Sequence, residues 1–319
     1  MPRHYDLRCV RAIIVLASTS AIIPNCSAQT TPSDLQTRLV QVEMNNIMYH
    51  FTPQIVVHIR RLKGALAPTQ SGKIPVFDDT HSFKLAINSA EISITTAAMS
   101  NVLNQYVFAA KDAPLKELSL RTERDSLKIR GKLHSKGDIS FEVEAAMSST
   151  PEGEIRLHAN KIRAAHLPVK GLMDLFGIEL ADLISTKKIA GVRTAGDDLI
   201  LNPEQILPPP HIEGRVTQVR IEGDRIVQTF GNGSVQTSEP GNYMAYRGNQ
   251  LRFGKLTMTD TDMILIDMDP RDPFDFYIDH YKDQLVAGYT KITPGFGLRV
   301  FMRDFNKLQK GKAGQTGMH

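Results

Sequence analysis

Between residues 127 and 159 apolar and polar side chains exchange places almost every second residue, and this rules out a helical fold for the middle of the chain. Leu127, Ile129 and Leu133 alternate with Lys128, Arg130, Lys132 and His134. Ile139, Phe141, Val143 and Ala145 alternate with Ser140, Glu142 and Glu144, and Ile155, Leu157 and Ala159 with Arg156, His158 and Asn160. Period two is the signature of a half-buried strand. Turn residues stand between the runs, at Lys136-Gly137-Asp138 and Pro151-Glu152-Gly153. The spacing predicts an antiparallel meander with one apolar and one charged face.

Alternation extends to both sides. Ile47, Tyr49 and Phe51 alternate, and Ile55, Val57 and Ile59 continue the pattern until its phase slips at Arg60-Arg61, which predicts a β-bulge. Residues 64–79 read as a loop. Phe83, Leu85 and Ile87 predict one strand and Ile92 and Ile94 another. Leu118 and Leu120, residues 198–202, and a tight hairpin of Val219 and Ile221 with Ile226 and Val227 across Gly223-Asp224 add more. Leu251 and Phe253, Leu256 and Met258, and Ile264 and Ile266 predict three strands beyond a Gly/Ser/Thr/Pro stretch at 231–241.

Helical spacing is rarer. Residues 35–48 predict a short helix, and residues 274–285 another, through Phe274, Tyr277, Ile278, Tyr281 and Leu285. After a cap at Thr95 or Thr96, Met99, Val102, Leu103, Tyr106 and Val107 share one face. From Pro168 to about Ile184 a second helix carries Leu172, Phe176 and Leu180 and is apolar around most of its girth, so it must be buried or cover an apolar surface.

The first 28 residues have the order of a secretory signal. Arg3, Arg8 and Arg11 precede an uncharged apolar run at 12–23, and Cys26-Ser27-Ala28 places small residues before Gln29. The run is well short of the ~20 residues that span a bilayer. Both cysteines, Cys9 and Cys26, lie inside this leader, so the remainder is stabilised by its core alone. Pro24 and Asn25 ahead of Cys26 are a poor match to a lipidation site. Export places the protein in the periplasm or outside the cell, with membrane association open. Without the leader's three arginines and Asp6 the net charge falls from +4 to +2, which gives no support for a nucleic-acid partner.

No catalytic motif is complete. Gly231-Asn232-Gly233-Ser234-Val235 lacks the final glycine of a nucleophile elbow, and Ser71-Gly72-Lys73 lacks the first glycine of a phosphate loop. Eight aspartates between Asp260 and Asp283 are the main rival signal, since oxygen-rich segments hold calcium, but their spacing is not that of a calcium-binding helix-loop-helix. No cofactor is implied.

The order of these elements resembles the tubular lipid-binding (TULIP-like) domains, and above all the short phospholipid-binding kind of bacterial envelopes. The resemblance rests on the strand at 92–94 leading into the helix at 96–108, the strands at 127–133, 139–145 and 155–159, the helix at 169–184, and return strands at 214–221 and 225–230. It implies an α+β, strand-rich fold in which a curved antiparallel sheet wraps one or two apolar helices, followed by a further β-rich part. The expected organisation is a signal peptide (1–28), a leader (29–46), the lipid-binding domain (47–230), a linker (231–241), the C-terminal β-rich region (242–304) and a tail (305–319). Val102, Leu103, Tyr106 and Val107 are expected to meet Leu127, Ile129, Phe141, Val143, Leu172, Phe176 and Leu180 around an apolar interior. Its expected occupant is a lipid or other apolar small molecule, bound without catalysis, with a membrane surface as a further candidate partner. The alternatives are a structural or adaptor module working through open strand edges, and a calcium-assisted hydrolase using the aspartate-rich segment.

Overall fold

The computed structural model describes residues 39–134, 138–164, 167–168, 186–187, 189–232 and 236–308. The chain is α+β and strand-rich. Among the described residues it opens with three long strands, β1 (Val40–Thr52), β2 (Ile55–Pro68) and β3 (Phe83–Thr95), followed by helix α1 (Thr96–Val102). The meander comes next: β4 (Leu115–Glu123), β5 (Ser126–His134), β6 (Asp138–Ser149), β7 (Ile155–Ala164) and the two-residue β8 (Leu167–Pro168). After β9 (Val192–Ala195), β10 (Asp198–Leu201) and the single-turn α2 (Pro203–Ile206), the chain forms β11 (His211–Glu213), β12 (Val216–Glu222) and β13 (Arg225–Phe230). The C-terminal part holds β14 (Tyr243–Gly248), β15 (Leu251–Phe253), β16 (Leu256–Met258), β17 (Thr261–Asp267), β18 (Phe274–Tyr277), α3 (Tyr281–Val286), β19 (Tyr289–Ile292) and β20 (Leu298–Met302).

Two sheets share one hydrophobic core. The larger runs β12-β13-β3-β2-β1-β14-β17-β20-β19, and the smaller β4-β5-β6-β7-β10-β9. Pairing is antiparallel except where β11 lies beside β3, β18 beside β1 and β20 beside β17. The region after 241 is therefore not a separate unit: β14 bonds directly to β1, Val40 opposite Gly248. The linker expected at 231–241 falls between strands of one sheet.

Bulges bend the large sheet along one line. Buried residues in β1 follow the order 42, 44, 47, 49, in β2 57, 59, 62, and in β3 85, 87, 90, each skipping a beat. Arg60 is the extra residue against β3, as the sequence predicts, and Asn46 stands beside it in β1 with φ 57°. A second irregularity separates Lys63 from Gly64. Extra residues of this kind kink a strand and increase its twist, which gives the sheet its curvature. Arg60 turns outward and ties β2 to Glu91 (2.6 Å) and to Glu222.

Two helices differ from expectation. Of the helix expected at 35–48, residues 35–38 lie outside the described residues and residues 40–48 belong to β1, whose phase slip at Asn46 mixes spacings of two and three and so imitates helical periodicity. Residues 274–285 divide into β18, a 3₁₀ turn (Ile278–His280) and the short α3. The loop expected from residue 64 starts only after β2 ends at Pro68.

Candidate functional site

The small sheet's inner face carries the candidate site. Cross-strand register stacks apolar residues in rows, Ile129 beside Val143 beside Ile162, and Leu127 beside Ala145 beside Ala159. Each row comes from the period-two pattern, because antiparallel partners share a face. Ala145 and Ala159 leave the middle of the face low and Ala164 the end of β7, and a cavity of about 100 Å³ lies over them. Its lining is apolar throughout, from Leu115 and Leu118 on one side to Leu199 on the other. Phe141 covers its cross-strand partner Gly131, where a Cβ would meet the ring at 3.1 Å. At the end of β6, Ile139 is 46% exposed. The opposite face is a lattice of ion pairs, such as Arg130 to Glu142 and Lys132 to Glu117, both at 2.6 Å. Exposed pairs of this kind contribute about 0–1 kcal/mol each, so this face serves solubility more than stability.

A second apolar cavity, about 60 Å³, lies inside the curve of the large sheet between β1, β2 and β3, closed by Leu207, Pro210, Ile212, Phe276 and Ile278. Both hollows are smaller than the ~150 Å³ that admits benzene to an engineered cavity. An acyl chain would therefore have to part the lining side chains.

The expected site residues divide. Ile129, Phe141 and Val143 line the 100 Å³ cavity, and Leu127 is buried beside it. Val102 and Leu103 are buried in the core common to both sheets, with Val107 packed against it. Tyr106 does not face the interior and is 44% exposed. The cause is a change of helix type: after Val102 the chain continues as a π-helical turn (Leu103–Val107), closed by the Phe108 amide on the Leu103 carbonyl at 2.7 Å. That pattern adds about one residue per turn and rotates position 106 off the apolar face. Leu172, Phe176 and Leu180 lie outside the described residues.

Helix α1 and the π-helical turn after it do more than the apolar pattern suggests. Thr95 caps it, its hydroxyl accepting from the Ala98 amide at 3.1 Å, a contact of about 1 kcal/mol. Asn104 donates to the Leu118 carbonyl (2.7 Å) and accepts from the Leu118 amide (2.8 Å), while the Ser100 hydroxyl accepts from the Leu120 amide. These two side chains bond β4 as a neighbouring strand would and hold the small sheet against the helix. Strand alternation and helix spacing carry no signal for this, because the donors and acceptors are polar residues on a helix.

Most of the aspartate-rich segment is held in ion pairs, with Lys307 shared by Asp269 and Asp272. Asp262 is paired with Arg299, Asp269 with Arg271 and Lys307, Asp275 with His50 (2.5 Å), and Asp283 with His280 (3.1 Å). Among the described residues no group of three or more His, Cys, Asp or Glu side chains is placed to hold a metal. His50 Nε2 bonds the Asp275 carboxylate, and the buried Nδ1 of His50 meets no partner among the described residues.

A polar chain crosses the large sheet near its bend. His58 Nε2 bonds Asn46 Oδ1 (2.8 Å), Asn46 Nδ2 donates to Asn242 Oδ1 (2.8 Å), and Asn242 Nδ2 donates to Asp267 Oδ2 (2.9 Å). Burial disfavours the charged form at both ends. Desolvation, with Arg225 and Arg60 nearby, lowers His58 to about 4, and desolvation raises Asp267 to about 6 against the pull of Asn242 and the Asp269 amide. The His58 contribution to stability is complete above its ordinary 6.5 and is lost as pH falls through about 4. The Asp267 contribution has the opposite sign, being complete below its ordinary 3.8 and lost as pH rises through about 6. The two offset each other in mild acid.

Comparison of the chain with protein-family models, curated proteins and solved structures finds no match.

Proposed function

We propose that the chain is an exported, non-enzymatic binder of a lipid or another apolar small molecule, with the small sheet and the helix packed on it acting as a TULIP-like carrier. The observation that carries this reading is the all-apolar wall of the small sheet, lowered by Ala145, Ala159 and Ala164 and leading to the exposed Ile139. Small residues on a sheet face leave room above it, and an acyl chain laid there gains ~0.8 kcal/mol per buried methylene. The absence of polar groups in the lining suits a ligand without a reactive centre to orient.

Filling the hollow tests the reading. Native mass spectrometry of the protein purified from its own envelope is expected to show a bound apolar molecule, and Ala159→Leu is expected to lower its occupancy at least tenfold with little change in melting temperature. If the wild type carries nothing and Ala159→Leu melts lower by the equivalent of ~1–3 kcal/mol, the face is ordinary core and the proposal fails. The export half has its own check. Intact-mass and N-terminal analysis of that preparation should give a chain beginning at or near Gln29, and a retained Met1 in a cytosolic fraction would contradict it.

A further inference from the structure

At the end of the β19–β20 hairpin, Phe296 is 91% exposed and has φ 62°, flanked by Gly295 and Gly297. A bulky side chain in the left-handed region is strained, and such strain persists where the surroundings over-determine the backbone. Here Thr293 does so. Its amide donates to the Gly297 carbonyl (2.8 Å), its carbonyl accepts from the Phe296 amide (2.9 Å), and its hydroxyl accepts from the Gly297 amide (2.9 Å). Gly297 is packed against Asp262, where a Cβ would overlap the carboxylate, and Asp262 is held by Arg299. The ring is thus presented to water on a braced turn. Ile292, 73% exposed, stands at its base, and the exposed Lys291 lies over the Tyr289 and Phe301 rings at 5.5 Å.

We infer that this hairpin is a finger that seats the protein on a lipid bilayer, with Phe296 and Ile292 entering the headgroup–acyl boundary and Lys291 meeting phosphate. Two observations favour a bilayer over a protein partner. The first is area: a stable protein interface needs ~800 Å² on each side, and one aromatic ring and one isoleucine without a surrounding groove cannot supply it. The second is place. Val40 pairs with Gly248, Gly248 with Thr261, and Met263 with Leu298, so the finger leaves the same end of the sheet at which the chain enters β1. Two strands separate β1 from β20, about 14 Å in all. On the export reading the apolar run at 12–23 precedes this end of the sheet, so this is the end nearest the membrane until the leader is cleaved.

The chain contains no tryptophan, so Phe296→Trp introduces a single reporter at the tip. With vesicles of phosphatidylethanolamine and phosphatidylglycerol, its emission is expected to shift to the blue and to be quenched by lipids brominated on their acyl chains. Phe296→Ser is expected to float with such vesicles at least tenfold less than wild type at unchanged melting temperature. Emission from the folded Phe296→Trp protein that stays that of a water-exposed indole at lipid excess would overturn the inference. So would flotation of Phe296→Ser equal to wild type, or self-association that depends on Phe296 without vesicle binding. Ligand occupancy is read separately on wild-type protein: a chain that keeps its apolar ligand and ignores vesicles refutes the finger alone.

Discussion

Phe276→Ala is expected to destabilise the protein by about 3–5 kcal/mol, a large fraction of the stability of an ordinary domain. Phe276 is fully buried in β18, in parallel register with Tyr49 of β1. Its ring lies 5.8 Å from that of Tyr49, 5.8 Å from Phe274 and 6.1 Å from Phe77, and it closes one side of the smaller cavity. Removing it forfeits the burial of a whole ring and opens a void that long paired strands cannot collapse to fill. Urea unfolding followed by circular dichroism should show the midpoint fall with an unchanged slope. A loss near 1 kcal/mol would mean that the aromatic cluster rearranges and that the hollow inside the large sheet is soft.

Gly64→Ala is the second large effect, about 3 kcal/mol, from the addition of one methyl group. An added Cβ at Gly64 would overlap the Ala86 carbonyl oxygen of the neighbouring strand, at the second irregularity of the β2–β3 pairing. The obstacle is backbone, so it cannot swing aside as a side chain would, and relief requires the strands to part where the sheet bends. Gly72→Ala is the matched control. It has φ 75° but nothing within 4 Å of the added atom, and should cost only the ~1–2 kcal/mol of left-handed strain. Thermal melts of the two variants should differ clearly. If they do not, the bend is not pinned at Gly64.

These positions also show how far the sequence could be read. Where a strand keeps one face buried, alternation identifies it, and the meander β4 to β7, the hairpin at Gly223-Asp224 and the bulge at Arg60 were all legible on that basis. The first strand was not. Buried positions 40, 42 and 44 are followed by 47 and 49, and the skipped beat at Asn46 reads as a helical spacing although it marks a bend. Curvature is a three-strand property: only when the skips of β1, β2 and β3 align does a curved sheet result, and alignment requires the pairing. The site was half legible for a related reason. Period two placed Ile129, Phe141 and Val143 on one face, but the hollow above them comes from alanines in adjacent strands, which period and polarity do not distinguish from larger apolar residues. Tyr106 was misplaced because its pattern assumes 3.6 residues per turn, and the chain widens its turn there.

The position of β1 in the large sheet has a consequence for how the protein comes to be folded. Among the described strands it is the first to emerge and lies in the middle, with β2 on one side and β14 and β18 on the other. Its contact with β2 closes at once, but the contact of His50 with Asp275 spans 225 residues. Until the last quarter of the chain arrives, the outer edge of β1 is an unpaired template, open to any strand that finds it. Contacts this distant in sequence make folding slow and leave partly folded chains prone to association. A chain delivered across a membrane from its N-terminus meets this hazard at its worst, with the sheet's central strand waiting longest for its partner. On the export reading, the need to protect that edge during passage follows from the order in which the strands are encoded.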